Sequence, residues 1–171
     1  AKEIEQNGPY EDGFEVTHTT LHTGVINGGI ALNIVPNFCA LKFEIRNIPK
    51  QNPEPILQQI IEYAKIQLEP EMKKVNKNCG FEFEQLSGYP GMFTAPNEEV
   101  VSFVKTLTNI EGVKKVSFGT EGGLFTEQLG IPTVVCGPGN IEQAHKPDEF
   151  IHLEQIAQME QFMARLIEAL R

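Results

Sequence analysis

Cys39–Arg46 reads Cys-Ala-Leu-Lys-Phe-Glu-Ile-Arg, and its alternation sets the reading of everything around it. Cys39, Leu41, Phe43 and Ile45 fall on one face, and Ala40, Lys42, Glu44 and Arg46 on the other. A period of two is the pattern of a strand with one face covered and one in water, which puts Arg46 at the exit of the polar face. Toward the N-terminus, 19–26 is rich in Thr and Val, a second strand, with Gly28-Gly29 as the turn that follows it. Residues 1–14 hold Gly8, Pro9 and Gly13 among acidic residues and read as a fraying helix end and a loop. Toward the C-terminus, Pro53 and Pro55 sit where a first helical turn tolerates proline, and Ile56, Leu57, Ile60, Ile61, Ala64 and Leu68 follow at helical spacing. That helix is expected to stop near Pro70, and Phe81-Glu82-Phe83-Glu84 to form another short strand. Strand, strand, helix, strand is most of an α+β layer unit that lacks a strand and a helix at its start.

The turn-rich stretch Ser87-Gly88-Tyr89-Pro90-Gly91-Met92 marks a boundary, giving a first domain over 1–88 and a second over 89–171. Beyond it helix and strand alternate, so the chain as a whole is expected to be α/β. Asn97 is placed to cap a helix carrying Val100, Val101, Val104 and Leu107, with Glu98 and Glu99 in its first turn. Residues 115–118 read as a short strand, 122–129 as a helix, and Thr133-Val134-Val135-Cys136 as a buried strand of the kind found in parallel sheets. The last helix carries Leu153, Ile156, Ala157, Met163, Leu166, Ile167 and Leu170 as its apolar stripe.

With 171 residues, 40% of them hydrophobic and 22% charged, the chain has the composition of a globular protein. Its formal net charge of −9 removes the cationic footprint that a phosphate backbone requires, so nucleic acid is not an expected partner. No apolar run approaches the roughly 20 residues of a membrane-spanning helix, and the polar opening does not read as a signal peptide. Cys39, Cys79 and Cys136 are odd in number and widely spaced, which suits buried free thiols in a reducing cytoplasm. The chain opens without Met in a polar stretch, as a processed chain or a piece of a longer one would.

Three segments carry the chemistry. His18, His22 and His152 read as structural or surface residues, whereas His145 lies in the run Gly137-Pro138-Gly139-Asn140-Ile141-Glu142-Gln143-Ala144-His145-Lys146-Pro147-Asp148-Glu149-Phe150. Loops leaving the carboxyl ends of parallel strands are where open α/β sheets place ligands. A metal-bound imidazole usually donates its other ring N–H to a carboxylate, and Asp148 and Glu149 follow within reach of a tight turn. The second segment is Gly119-Thr120-Glu121-Gly122-Gly123, where Glu121 would repel an anion and favour an amine-bearing substrate, or where Thr120 simply caps a helix. The third runs from Gly28 through Asn33 and Pro36 to Arg46, an amide and a guanidinium suited to a carboxylate or polarised carbonyl, although an arginine on a polar strand face is commonly just solvated.

In this order the segments resemble the zinc-dependent metallopeptidase family of acetylornithine deacetylase and succinyl-diaminopimelate desuccinylase. The matching stretches are Thr20-Leu21-His22-Thr23-Gly24-Val25-Ile26-Asn27-Gly28-Gly29 with Asn33-Ile34-Val35-Pro36 and Phe43-Glu44-Ile45-Arg46, then Gly119-Thr120-Glu121, then Gly130-Ile131-Pro132-Thr133 with Gly137-Pro138-Gly139 and Ala144-His145-Lys146-Pro147-Asp148-Glu149-Phe150. The resemblance implies a two-layer, ferredoxin-like lid over 1–88 that makes homodimers, incomplete at its start, and over 89–171 the C-terminal part of an α/β catalytic domain. It implies that His145 is a zinc ligand, with Asp148 and Glu149 behind it, and that Asn33, Arg46, Thr120, Glu121 and Gly137 meet the substrate. Within the family the pattern is most like the acetylornithine deacetylases, which implies hydrolysis of N-acetyl-L-ornithine to ornithine and acetate. Desuccinylation, deacetylation of acetylcitrulline, dipeptide hydrolysis and a non-catalytic dimerisation module are the alternatives. The family's full-length subunit holds two zinc ions, or cobalt, and attacks an N-acyl amino acid with a metal-bound water and a glutamate base. The other ligands and that base have no counterpart in this sequence. The expectation is therefore a C-terminal fragment that is inactive alone, contains no catalytic base, and binds no stoichiometric zinc, because a catalytic zinc needs about three protein ligands.

Overall fold

The computed structural model describes residues 1–171 as a mixed α/β chain with one two-stranded antiparallel sheet. It divides into two compact units, Ala1–Gly91 with Lys115–Gly119, and Met92–Lys114 with Thr120–Arg171.

In the first unit, helix α1 (Lys2–Asn7) precedes strands β1 (Thr20–Gly28) and β2 (Cys39–Arg46). Their register runs from Thr20 opposite Arg46 to Gly28 opposite Cys39, with a bulge between Thr23 and Val25 that leaves Gly24 unpaired. Gly29 turns the chain at φ +76°, a backbone region that glycine enters without penalty. The period of two is present, but it does not produce a buried face. Leu41 and Phe43 are exposed, and only Ala40 and Ile45 are half-buried. No helix packs on this ribbon and no third strand joins it, so neither face has a layer to cover it. Just past β2 the chain is fastened instead by the wholly buried Thr19, whose Oγ1 accepts from the Ile48 amide at 3.2 Å.

Helix α2 (Glu54–Glu62) begins as expected, with Pro53 at the N-cap and a second proline in the first turn. It does not end near Pro70. A π-helical segment, Tyr63–Leu68, carries the helix into α3 (Glu69–Val75). Proline lacks an amide hydrogen, and its ring collides with the carbonyl four residues back. The wider π turn, in which the Glu69 amide donates to Ala64 O, shifts the frame so that Pro70 stands in the first turn of α3.

The strand expected over 81–84 is absent. The Phe81 amide donates to Glu69 Oε1 at 2.9 Å, so a side chain occupies the place of a ladder partner. Glu69 is buried, and both oxygens are engaged: Lys65 Nζ lies 2.6 Å from Oε1 and Lys73 Nζ 2.6 Å from Oε2. Lys65 also donates to the Phe81 carbonyl. Gly80 makes the approach possible, since a Cβ there would stand 3.2 Å from Glu69 Oε1. Residues 115–118 also form no strand. They are held by Lys115 Nζ, which donates to Glu11 Oε1 at 2.7 Å and Asp12 O at 2.8 Å and lies 5.0 Å from the centre of the Phe14 ring.

In the second unit, α4 (Glu99–Thr108) packs on α6 (Leu153–Ala169), with Val101, Leu107 and Phe162 buried. The residue at the α4 N-cap is Glu98 rather than Asn97. Helix α5 (Gly122–Leu129) has the expected limits, and Gly130 closes it at φ +64° with the Ile131 amide returning to Phe125 O. On α6 the packed side is Gln155, Met159, Phe162 and Leu166, while Leu153, Met163, Ile167 and Leu170 are exposed. The buried strand expected over 133–136 is not formed, and Val135 and Cys136 are exposed. With no neighbouring strand, Thr133 is fixed by Thr94, whose Oγ1 donates to its carbonyl at 2.6 Å and accepts from its amide at 3.2 Å. The cysteines are free, but Cys39 and Cys136 are exposed rather than buried, since both lie on segments that nothing covers.

Hydrogen bonds from Lys65 and Lys73, with that of the Phe81 amide, hold the Glu69 carboxyl at about 2, below its ordinary 4.5. The folded state therefore prefers the ionised form, so this contribution to stability is complete above about 4.5 and is lost as pH falls toward about 2. Glu69→Gln is expected to lower the thermal midpoint at pH 7 and to flatten the acid-unfolding profile across that window. An unchanged profile would remove Glu69 as the organising charge.

Candidate functional site

In the first unit, the candidate donors Asn33 and Arg46 stand far apart. Asn33 is exposed in the turn between the strands, whereas Arg46 ends β2 at the opposite end of the ribbon. At roughly 3.4 Å per residue, β2 alone separates those ends by more than about 20 Å. Arg46 is positioned by its own strand: Nε donates to Glu44 Oε1 at 2.8 Å, and Nη2 faces Glu44 Oε2 at 3.4 Å. That hydrogen bond draws the Glu44 carboxyl below its ordinary 4.5, with the charges of Arg46 and His22 adding to it. His22 lies opposite Glu44, and the two line a shallow cleft of about 340 Å³ with Gly24, Lys42 and Phe43. Gly24, unpaired on the bulge, forms part of its wall.

In the sequence Tyr89 is one residue of the turn-rich stretch 87–92 and carries no motif. Its hydroxyl lies against Gly119, where a Cβ would come within 1.8 Å of the oxygen. Tyr89 and Gly119 thus meet within the first unit, although they are distant in sequence and no local pattern links them.

In the second unit, Thr120 and Glu121 precede α5 as one continuous turn. Thr120 Oγ1 accepts from the Gly122 amide at 3.3 Å, and Glu121 occupies the N-cap position with its side chain exposed. Gly122 and Gly123 are buried behind them, and a Cβ on Gly122 would stand 2.6 Å from Met92 Sδ. Gly137 is exposed in open surroundings. His145 and Asp148 both adopt the left-handed conformation, at φ 57° and 59°, which coils 145–149 tightly. Glu149 Oε2 accepts from the His145 backbone amide at 3.3 Å, so this carboxylate fastens the turn while the imidazole is exposed. A smaller cleft of about 190 Å³, lined by Phe93, Thr94, Glu98 and Thr126 among others, contains none of these candidates.

No three His, Cys, Asp or Glu side chains converge as a metal cage. One exposed imidazole, beside a carboxylate already engaged by a backbone amide, does not by itself fit a zinc ion, which takes about three protein ligands.

Comparison with known proteins adds what the geometry alone does not supply. Residues 2–72 match the M20 family model described as a peptidase dimerisation domain. The chain is 35% identical over 159 residues, 92% of its length, to an acetylornithine deacetylase of Myxococcus xanthus, of which it covers 40%. It is 34% identical over 154 residues to an acetylornithine deacetylase of Pasteurella multocida, and 32% identical over 157 residues to one of Proteus mirabilis, covering 38% of each. The chain therefore spans about two-fifths of the length of these curated relatives.

The Glu149 contact makes a local prediction. Glu149→Ala is expected to speed hydrogen exchange at the His145 amide while changing global stability by less than about 0.5 kcal/mol, as for an exposed surface contact. Exchange unchanged at His145 would show that the turn holds without the carboxylate.

Proposed function

We propose, from the match of residues 2–72 to the M20 peptidase dimerisation domain and the similarity to acetylornithine deacetylases, that this chain is the lid and the last catalytic segment of an amidohydrolase that releases ornithine and acetate from N-acetyl-L-ornithine. The observation carrying this reading is the 35% identity to an acetylornithine deacetylase across 92% of the chain, which includes all three chemistry-bearing segments. Residues 1–88 are assigned to the lid and 89–171 to the catalytic part. The natural assembly is a homodimer formed through the lid, and the free thiols suit a cytoplasmic location.

Each residue has a role suited to its chemistry. His145 presents a lone exposed imidazole on a turn coiled by two left-handed residues, and it serves as one donor to a metal centre whose remaining ligands lie outside this chain. Glu149 positions that donor through the backbone, with Asp148 shaping the same turn. Arg46, braced by Glu44, offers donors to the acyl amino acid's carboxylate, whereas Asn33, at the other end of the ribbon, does not reach the same substrate molecule within one chain. Thr120, Glu121 and Gly137 line the pocket, and the exposed Glu121 carboxylate attracts the side-chain ammonium of ornithine.

The polypeptide carrying this chain, supplied with zinc or cobalt, is expected to hydrolyse N-acetyl-L-ornithine. Failure on that compound and on every other N-acyl amino acid tried would overturn the reading. His145→Ala is expected to reduce turnover by about 100-fold or more, as loss of a metal donor does. Glu121→Gln should depress turnover of N-acetyl-ornithine several times more than that of N-acetyl-norvaline, which lacks the side-chain amine. Equal losses on the two would remove Glu121 from specificity.

A further inference from the structure

Met92 places its thioether against the start of α5. A Cβ on Gly122 would stand 2.6 Å from Sδ and 3.5 Å from Cγ, so the bare α-carbon of Gly122 is in contact with the sulfur. Gly122 and Gly123 are both buried, whereas Met92 is half-buried and keeps a path to water. The turn that the sulfur supports is the Gly-Thr-Glu turn: the Gly122 amide donates to Thr120 Oγ1 at 3.3 Å, and the Leu124 amide donates to Glu121 O at 2.9 Å. Met92 has little freedom to retreat. Two residues on, Thr94 Oγ1 engages both the carbonyl and the amide of Thr133, and Phe93 and Thr94 line one cleft with Thr126 in the middle of α5. Thr126 is in turn tied to the first turn of that helix, since its Oγ1 donates to Gly123 O at 3.0 Å. A change in the size or polarity of the Met92 side chain is therefore passed to 120–122 rather than absorbed by 92–94.

We propose that Met92 is an oxidation site through which a two-electron oxidant, hydrogen peroxide, releases the Thr120–Glu121 turn. A sulfur lone pair attacks one peroxide oxygen, and the S–O bond forms as the O–O bond breaks. The departing hydroxide takes the remaining proton and leaves as water, so the thioether is oxidised to the sulfoxide and the peroxide is reduced. The sulfoxide is bulkier than the thioether and accepts hydrogen bonds, and two buried glycines offer it neither room nor water. The oxidised side chain moves out toward solvent, and the contact at Gly122 is lost with it. Met163 supplies the contrast, because it is exposed on the open side of α6, where an added oxygen stays in water. That the loosened turn reduces turnover rests on the amidohydrolase reading, in which Glu121 faces the substrate's ammonium; the oxidation itself does not.

The test is titration of the full chain with hydrogen peroxide, with sulfoxides located by peptide mass spectrometry and backbone exchange followed by NMR. Met92 is expected to be oxidised after the more exposed Met163, and its oxidation to speed exchange at the Gly122 and Leu124 amides about tenfold, as local opening does. Dithiothreitol, which restores the exposed thiols of Cys39 and Cys136, is expected to leave the effect in place, and methionine sulfoxide reductases acting on both epimers to reverse it. Met92→Leu, a swap of similar volume, is expected to keep exchange slow in peroxide, and Met92→Gln to show fast exchange without it. Met92 unmodified at a dose that oxidises Met163 completely, exchange unchanged once Met92 is a sulfoxide, or the same response in Met92→Leu would each overturn the proposal. A kinetic arm separates it from the reading it touches: peroxide is expected to slow turnover of N-acetyl-L-ornithine more in the wild-type polypeptide than in Met92→Leu. Hydrolysis equally sensitive in both leaves the amidohydrolase standing and removes Met92 as its control. A turn loosened through Met92 in a protein hydrolysing no acyl amino acid keeps the oxidation site and removes the amidohydrolase.

Discussion

The carboxylate of Glu69 is removed from water and is stable there only because three donors meet it. A buried charge without partners would neutralise itself or unfold its surroundings. Lys65 and Lys73 come from the same helical stack, but the third donor, the Phe81 amide, belongs to the segment that returns across the helix. The ion pairs thus do more than satisfy a charge, since they decide where the chain leaves α3 and comes back. The π turn ahead of α3 belongs to the same arrangement, because it carries the helix past Ile66 and Pro70 into the turn where Lys73 meets Glu69.

A similar substitution of side chain for ladder recurs through the chain. The sheet has two strands only, so segments composed like strands find no backbone to pair with. Thr19 takes the Ile48 amide, Thr94 takes both groups of Thr133, and Lys115 takes the Asp12 carbonyl. These fasteners also place the candidate site. Thr19 and Ile48 secure the chain just beyond Arg46, and Lys115 draws 115–119 into the first unit, where Gly119 receives Tyr89. The Glu11 carboxylate that Lys115 meets is itself buried, with Oε2 unpartnered, so that contact comes at a cost in desolvation.

The hairpin of the dimerisation match leaves Ile30, Leu32, Val35 and Phe38 in water, and α6 exposes Leu153, Met163 and Leu170. Apolar area of this extent is costly to solvate and characteristic of surfaces that meet other protein.

Covalent order alone marks the candidate segments. The Gly-Thr-Glu turn, the His145 run and the strand ending at Arg46 are local patterns, and their residues stay neighbours whatever the rest of the chain does. The helices over 54–62, 99–108 and 122–129 were legible for the same reason, since their hydrogen bonds close within a few residues. Strands depend on partners elsewhere, so 81–84, 115–118 and 133–136 carried the composition of strands without the ladder. The reach of the helix past Pro70 turned on a change of hydrogen-bond frame that spacing does not reveal. Tertiary structure alone decided that Asn33 and Arg46 stand at opposite ends of the ribbon, that Glu149 fastens its turn through a backbone amide, and that Tyr89 meets Gly119. Those relations are contacts between residues whose separation along the chain contains no information about their separation in space.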